Sequence, residues 1–208
     1  MASRSLEKGA AALRAIQSDP AIKSSLSAIS LDVTSTDSIT AAFAHVSTHH
    51  DRLDVLINNA AIHTNPRNRW PRNYLVLSLR IRSVPPSSLG SLVLAGDTTR
   101  FDSRVDALAY RMSKAALDML VVQDHRKLGG KGDMNGEGGG KGERPIKVFA
   151  ICPGLVVSEL RGSTEEQRTC GGMAGDPEGS GRFIQMVMEG ERDEDVGKFV
   201  HEGGNYPW

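Results

Sequence analysis

Leu53-Asp-Val-Leu-Ile57 is the segment that most narrows what this chain can become. It is too short for a buried helix and is apolar at all but one position. Polar residues flank it, His49-His-Asp-Arg52 before and Asn58-Asn59-Ala60-Ala61 after. A continuous apolar run of this length reads as a strand buried on both faces, which occurs in parallel sheets covered by helices on each side. The rest of the chain must then supply neighbouring strands and covering helices.

Those elements can be read in order. Leu6, Ala10, Leu13 and Ile16 share one face of a helix that ends near Asp19-Pro20, because proline disfavours helix in the residue before it. Leu26 to Val33 is a short apolar run ending at an acid, and Ser35-Thr-Asp-Ser38 supplies cap chemistry for a helix through Ala41, Ala42, Phe43 and Val46. Ala107 to Arg126 contains no Gly or Pro and predicts one long helix. Ile146 to Cys152 is a strand stopped by Pro153-Gly154, Gly179 to Glu189 a helix, and Gly197 to His201 a last strand. Between His63 and Asp106, prolines at 66, 71, 85 and 86 break every periodicity. Residues 129–142 hold eight glycines in fourteen positions, a composition that buries no apolar surface and predicts a flexible loop. Alternating helices and buried strands predict an α/β fold with a parallel sheet and right-handed crossovers, as a single domain over 1–208.

Composition excludes several functions. With 25 basic and 25 acidic residues the net charge is zero, so no basic surplus exists to displace counterions and no nucleic-acid partner is expected. Cys152 and Cys170 lack a second Cys or His at zinc-ligand spacing, and no metal is expected. No apolar run approaches the roughly 18 residues of a membrane span. The first residues carry Arg4, Glu7, Lys8 and Arg14 rather than an apolar block, so a cytoplasmic protein without signal peptide is expected, an Arg- and Ser-bearing transit peptide being the alternative.

In an open parallel sheet ligands bind beyond the carboxyl ends of the strands, which directs attention to the loops after Val33, Ile57 and Cys152. Asp32 can accept hydrogen bonds from an adenine amino group or from nearby backbone, and as a bland alternative it is an acid at a helix N-terminus. Asn58 and Asn59 can contact ribose or simply form a turn. Tyr110 and Lys114 are four apart and so project from one helix face. A phenol of pKa ~10 is a poor acid–base group at neutral pH, and an adjacent ammonium favours its ionised form.

Asn58-Asn59-Ala60-Ala61 after an apolar strand, Tyr110-Arg-Met-Ser-Lys114, and Cys152-Pro153-Gly154-Leu-Val-Val-Ser158, in that order, resemble the short-chain dehydrogenase/reductase family. Its motifs read N-N-A-G, Y-x-x-x-K and P-G followed by Thr or Ser. Leu31-Asp32-Val33-Thr34 resembles the family's adenine-contacting segment, and Ala2-Ser3-Arg4-Ser5 the turn after its second strand. The resemblance covers residues 2–61 and 84–208. It implies a Rossmann-like doubly wound parallel sheet, N-terminally truncated, and a single, incomplete NAD(P)-binding domain. It also implies a hydride transfer between NADP(H) and a small-molecule carbonyl or alcohol, in a protein that can be a homo-oligomer. Tyr110 is then the general acid, Lys114 lowers its pKa and holds the nicotinamide ribose, and Ser87 polarises the carbonyl. Ser87-Ser88-Leu89-Gly90 matches S-x-x-G, with Ser88 the close alternative, whereas the family's usual spacing to the tyrosine points to Thr98. Asp32 and Val33 flank the adenine, Asn59 and Ala60 the adenosine ribose, and Pro153, Gly154, Val156 and Ser158 the nicotinamide. Arg4 pairs with a 2′-phosphate, which favours NADP over NAD.

The chain departs from the pattern in three places. The family's first strand and its T-G-x-x-x-G-x-G loop have no counterpart, the helix carrying a proton-relay Asn cannot be traced between Ala61 and Ser87, and Ala61 stands where glycine is usual. A catalytically inactive remnant, binding a nucleotide weakly or a protein partner, is therefore the alternative to an oxidoreductase. The Gly-Lys pairs of 129–142 lack the Ser or Thr of a phosphate-binding P-loop. Substrate choice in this family resides in the segment here spanning Glu159 to Glu178.

Overall fold

The computed structural model describes residues 1–50, 52–59, 108–129, 146–159 and 162–208. Ala60, Ser87, Ser88, Thr98, nearly all of the glycine-rich segment and the side chain of Tyr110 lie outside the described residues. The chain forms two compact units, Met1–Leu56 and Ile57–Trp208.

In the first unit β1 (Ala2–Ser3) pairs in parallel with β2 (Ile29–Ser30), in the register Ala2 to Ile29 and Ser3 to Ser30. Between them runs α1 (Leu6–Gln17), whose N-cap Ser5 accepts a hydrogen bond from the Lys8 N–H. Gly9 is the buried residue of α1 because the helix approaches the strands there: a Cβ at Gly9 would lie 3.1 Å from the Ser3 Cβ. The strand expected over Leu26 to Val33 is cut to two residues, since the partner it finds is itself two residues long. For the same reason the apolar face of α1 is covered only at its middle, and Leu6 and Ile16 remain exposed. After β2 comes α2 (Thr36–His49), capped by Ser35, whose hydroxyl accepts from the Ser38 N–H.

The run Leu53 to Ile57 differs from expectation. It forms no ladder with any described residue, and Leu53, Val55, Leu56 and Ile57 are exposed. A strand exists only through paired N–H and C=O groups, and among the described residues none pairs with this run.

The second unit contains α3 (Leu108–Leu128), β3 (Ala150–Cys152), the short α4 (Glu165–Thr169), α5 (Pro177–Glu189), β4 (Phe199–His201) and β5 (Gly204–Tyr206). β3 and β4 are parallel, β4 and β5 antiparallel. α5 carries the full set of terminal signals: Asp176 accepts from the Glu178 N–H, Pro177 opens the helix, and Gly190 closes it at φ +92°, a left-handed conformation that suits glycine. Its inner face places Phe183 and Val187 against Ile151 of β3 and Val200 of β4, the latter fully buried. Phe199 carries the chain terminus, with Tyr206 and Trp208 ring centroids 5.3 and 6.1 Å away, so the last aromatic covers its own unit's core.

A buried carboxylate fixes the end of this unit. Asp195 is 4% exposed, yet its oxygens accept from Lys198 Nζ at 2.9 Å, Asn205 Nδ2 at 2.6 Å and Arg192 Nε at 2.8 Å. Arg192 also donates to the carbonyls of His201 and Gly204, each at 3.1 Å, clamping the β4–β5 turn. These donors, Lys198 first, hold the Asp195 carboxyl well below the usual carboxylate range. Burial, with the Arg192 charge secondary, lowers His201 below its ordinary 6.5.

Replacing Phe183 with Ala is expected to cost about 3–5 kcal/mol in denaturant unfolding, whereas Phe43→Ala, at a position 70% exposed, should stay within about 0.5 kcal/mol. Acid weakens this unit in two stages. The unfolded chain takes up the His201 proton more readily, so stability falls as pH drops below about 6.5. The Asp195 contribution is complete above about 3.8 and is lost as pH falls further, towards the carboxyl's lowered value. Asp195→Asn should be less stable at neutral pH, and its deficit relative to wild type should shrink below about pH 3.8 in pH-dependent thermal unfolding.

Candidate functional site

In the first unit, parallel pairing sets the turns after β1 and β2 side by side. Leu31 N–H donates to the Ser3 carbonyl at 3.0 Å, one residue before Asp32 and one before Arg4. Asp32 Oδ1 accepts from the Thr34 backbone N–H at 2.9 Å and from the Thr34 hydroxyl at 2.7 Å, while the Asp32 N–H donates to Ser38 Oγ. The Thr34 hydroxyl, then the Thr34 backbone, and then the charge of Arg4 lower the Asp32 pKa. The carboxylate thus organises the turn from β2 into α2, and the structure brings Asp32 and Arg4 into one electrostatic field. Val33 is half-buried in the same turn.

Arg4 lies in an open pocket of ≈ 370 Å³ lined by Ser3, Arg4, Ser5 and Lys8 at the N-terminus of α1. Among the described residues, neither Arg4 nor Lys8 forms an ion pair with a carboxylate. Two cations, two hydroxyls and a helix N-terminus favour an anion. Sequence reading found Arg4 and missed Lys8, although their four-residue separation was a usable signal.

In the second unit, Lys114, Leu117, Asp118 and Val121 form one buried stripe on α3, at 1 to 6% exposure. Lys114 and Asp118 each keep an interaction partner within the molecule. Tyr110 precedes Lys114 by four residues, one turn, in α3. The far end of α3 is held by close approach: a Cβ at Gly197, where φ is +82°, would fall 2.5 Å from the His125 ring. Beyond β3, Pro153 and Gly154 open a loop in which Gly154 has φ +83° and the Pro153 carbonyl accepts from Ser180 Oγ of α5 at 2.5 Å. Val156 forms a parallel bridge with Gly175, and the Ser158 N–H donates to the Arg168 carbonyl at 3.3 Å.

Among the described residues Ser158 Oγ and Asn58 Nδ2, like His125 Nδ1 on α3, are buried without a hydrogen-bond partner. A buried polar atom left unmade costs about 1–3 kcal/mol, so such atoms point to a missing partner. A nicotinamide carboxamide and a ribose hydroxyl are chemically suitable ones. Asn59, its neighbour, is exposed. Among the described residues no helix is long and apolar enough to cross a membrane.

A profile of the short chain dehydrogenase family matches residues 1–73. The short-chain dehydrogenase/reductase tropE of Talaromyces stipitatus is 30% identical over 238 aligned residues, spanning 95% of this chain and 82% of that protein. The NADPH-bound carbonyl reductase from chicken fatty liver aligns with a TM-score of 0.60 at 20% identity, over 100% of this chain and 82% of that one. Sniffer of Caenorhabditis elegans, assigned as a carbonyl reductase, aligns at 0.56 and 19% identity, over 100% and 86%. These structural likenesses establish an α/β fold of the Rossmann type.

Ser158→Ala removes an unsatisfied hydroxyl and should leave the ligand-free chain as stable as wild type, within about 0.5 kcal/mol, or slightly more stable. A loss above about 1 kcal/mol in urea unfolding would reveal a partner for Oγ within the fold.

Proposed function

Because the chain belongs to the short-chain dehydrogenase/reductase family, we propose that it transfers a hydride between NADP(H) and a small-molecule carbonyl or alcohol. The observation that carries this reading is Lys114: a lysine buried on the inner stripe of α3, one turn after Tyr110. Burying an ammonium is costly unless it is paired, and buried charges of this kind gather at functional sites.

NADPH, when bound, supplies the hydride that reaches the carbonyl carbon. Tyr110 donates its phenolic proton to the carbonyl oxygen, completing the alcohol. The Lys114 ammonium favours the phenolate and so makes that proton available near neutral pH. Ser87, with Ser88 and Thr98 as alternatives, donates a hydrogen bond to the same oxygen and polarises the carbonyl.

By resemblance, each unit taken by itself has residues for a part of the cofactor. Arg4 holds the 2′-phosphate in the pocket it shares with Lys8 and the Ser5 cap. Asp32 and Val33 take the adenine edge, Asn59 and Ala60 the adenosine ribose. Pro153, Gly154 and Val156 shape the nicotinamide side, and Ser158 Oγ supplies the hydrogen bond it otherwise lacks. On this reading all 208 residues form one nucleotide-binding domain, in a cytoplasmic protein.

One sequence observation favours a second reading: no T-G-x-x-x-G-x-G turn occurs in the chain. That turn brings backbone N–H groups to a pyrophosphate. Where no such turn meets the cofactor, the protein is an inactive relative that binds a nucleotide weakly or serves as a partner-binding module.

Fluorescence titration of the folded chain with NADPH and NADH separates the two. Saturable NADPH binding is expected, weakened at least tenfold in the Arg4→Ala, Lys8→Ala double variant by about 1.4 kcal/mol or more, with NADH binding unchanged. No saturable binding would favour the inactive relative. If binding is present, Tyr110→Phe should abolish carbonyl turnover while leaving the NADPH dissociation constant within about twofold. Unchanged turnover would overturn the proposed acid.

A further inference from the structure

The C-terminal half of α2 carries two groups that the proposed hydride chemistry does not use. His45 and His49 stand one helical turn apart, and their rings stack with centroids 4.2 Å apart and planes at 24°. His49 Nδ1 lies 2.8 Å from the His45 carbonyl oxygen. A carbonyl only accepts, so Nδ1 carries the proton, and in the neutral ring Nε2 is the nitrogen that offers a lone pair. Metal-bound imidazoles have this arrangement, in which a second partner holds the nitrogen that does not ligate.

His45 is half-buried and His49 exposed. Among the described residues, His49 Nε2 and both ring nitrogens of His45 have no hydrogen-bond partner. Two nitrogens bound to one ion at about 2.0–2.1 Å are separated by about 3.3 Å at a tetrahedral angle, and by less at a right angle. Rings stacked at 4.2 Å can meet that spacing by rotation of the His45 ring, which no hydrogen bond holds, while His49 keeps its bond to the His45 carbonyl.

We propose that His45 and His49 form a bidentate site for a divalent transition-metal ion that prefers imidazole, namely Zn²⁺, Ni²⁺ or Cu²⁺, with water completing the coordination. Mg²⁺ and Ca²⁺, which take oxygen ligands, do not suit it. Among the described residues no group of three or more His, Cys, Asp or Glu side chains is placed to hold a metal, so the site has two protein ligands. Bound metal staples the last turn of α2, next to the C-cap where the His50 N–H donates to the Val46 carbonyl at 2.8 Å. The expectation of no metal rested on cysteine spacing, which does not reach this pair.

Calorimetric titration of the full chain with Ni²⁺ tests the site, with folding of each variant verified by circular dichroism. Wild type should bind one ion, and His45→Gln and His49→Gln should each weaken binding at least about tenfold, the loss expected for metal-site partners. Glutamine is a good helix former, and either variant alone decides the question. His50→Gln should bind as wild type, and Ni²⁺ should raise the Tm of wild type but not of His49→Gln. No Ni²⁺ binding by wild type at millimolar concentration, undiminished binding in either single variant, or an equal loss in His50→Gln would each overturn the proposal.

Discussion

The second unit depends on one carboxylate taken out of water. Asp195 is buried in a short 3₁₀ turn between α5 and β4, and an uncompensated charge there would be prohibitive. Three side chains meet it, and each is tied to a different part of the chain. Arg192 lies over the Phe183 ring at 5.8 Å and reaches the β4–β5 turn, Lys198 precedes β4, and Asn205 belongs to β5. The charge therefore fixes where the hairpin stands relative to α5. With β4 so placed, its parallel ladder to β3 sets the direction in which Cys152 delivers the chain to Pro153, Gly154 and Ser158.

A second buried charge lies on α3. Leu117 and Val121 anchor the helix by apolar contact, and the same stripe carries Lys114 and Asp118. Each keeps an interaction partner within the molecule, which is what lets a charge stay buried. The tight approach of Gly197 to His125 holds the helix at its far end. Ser158 Oγ and Asn58 Nδ2 add a complementary feature, polar atoms kept dry and unpaired where a ligand with matching groups would satisfy them.

The first unit shows how little regular structure is needed to gather two cations at a helix N-terminus. Two strands of two residues each suffice to set the turns after β1 and β2 side by side. Side chains do the remaining work: Thr34 fixes Asp32, Ser35 caps α2, and Ser5 caps α1 where Arg4 and Lys8 gather. All are local interactions within a few residues. This is why the Ser35 cap and the acid before α2 were legible in the sequence while the strand lengths were not.

What the sequence determined was local. Helices α1, α2, α3 and α5 follow from periodicity and the Ser35 cap, because hydrogen bonds within a few residues carry them, although α5 begins at Pro177 rather than at the expected Gly179. The order of the Asn58-Asn59-Ala60, Tyr110-Lys114 and Pro153-Gly154 motifs was likewise visible. Tertiary structure decided what depends on distant partners. It reduced the apolar runs at Leu26 and Ile146 to strands of two and three residues, since a strand is only as long as its ladder. It selected Lys8 to join Arg4, left Ser158 Oγ without a partner, and turned Trp208 onto Phe199. It also buried Asp195 among Arg192, Lys198 and Asn205, a cluster no periodicity announces. A charge's burial is set by what the fold packs around it, and that is a property of the assembled structure rather than of any window of sequence.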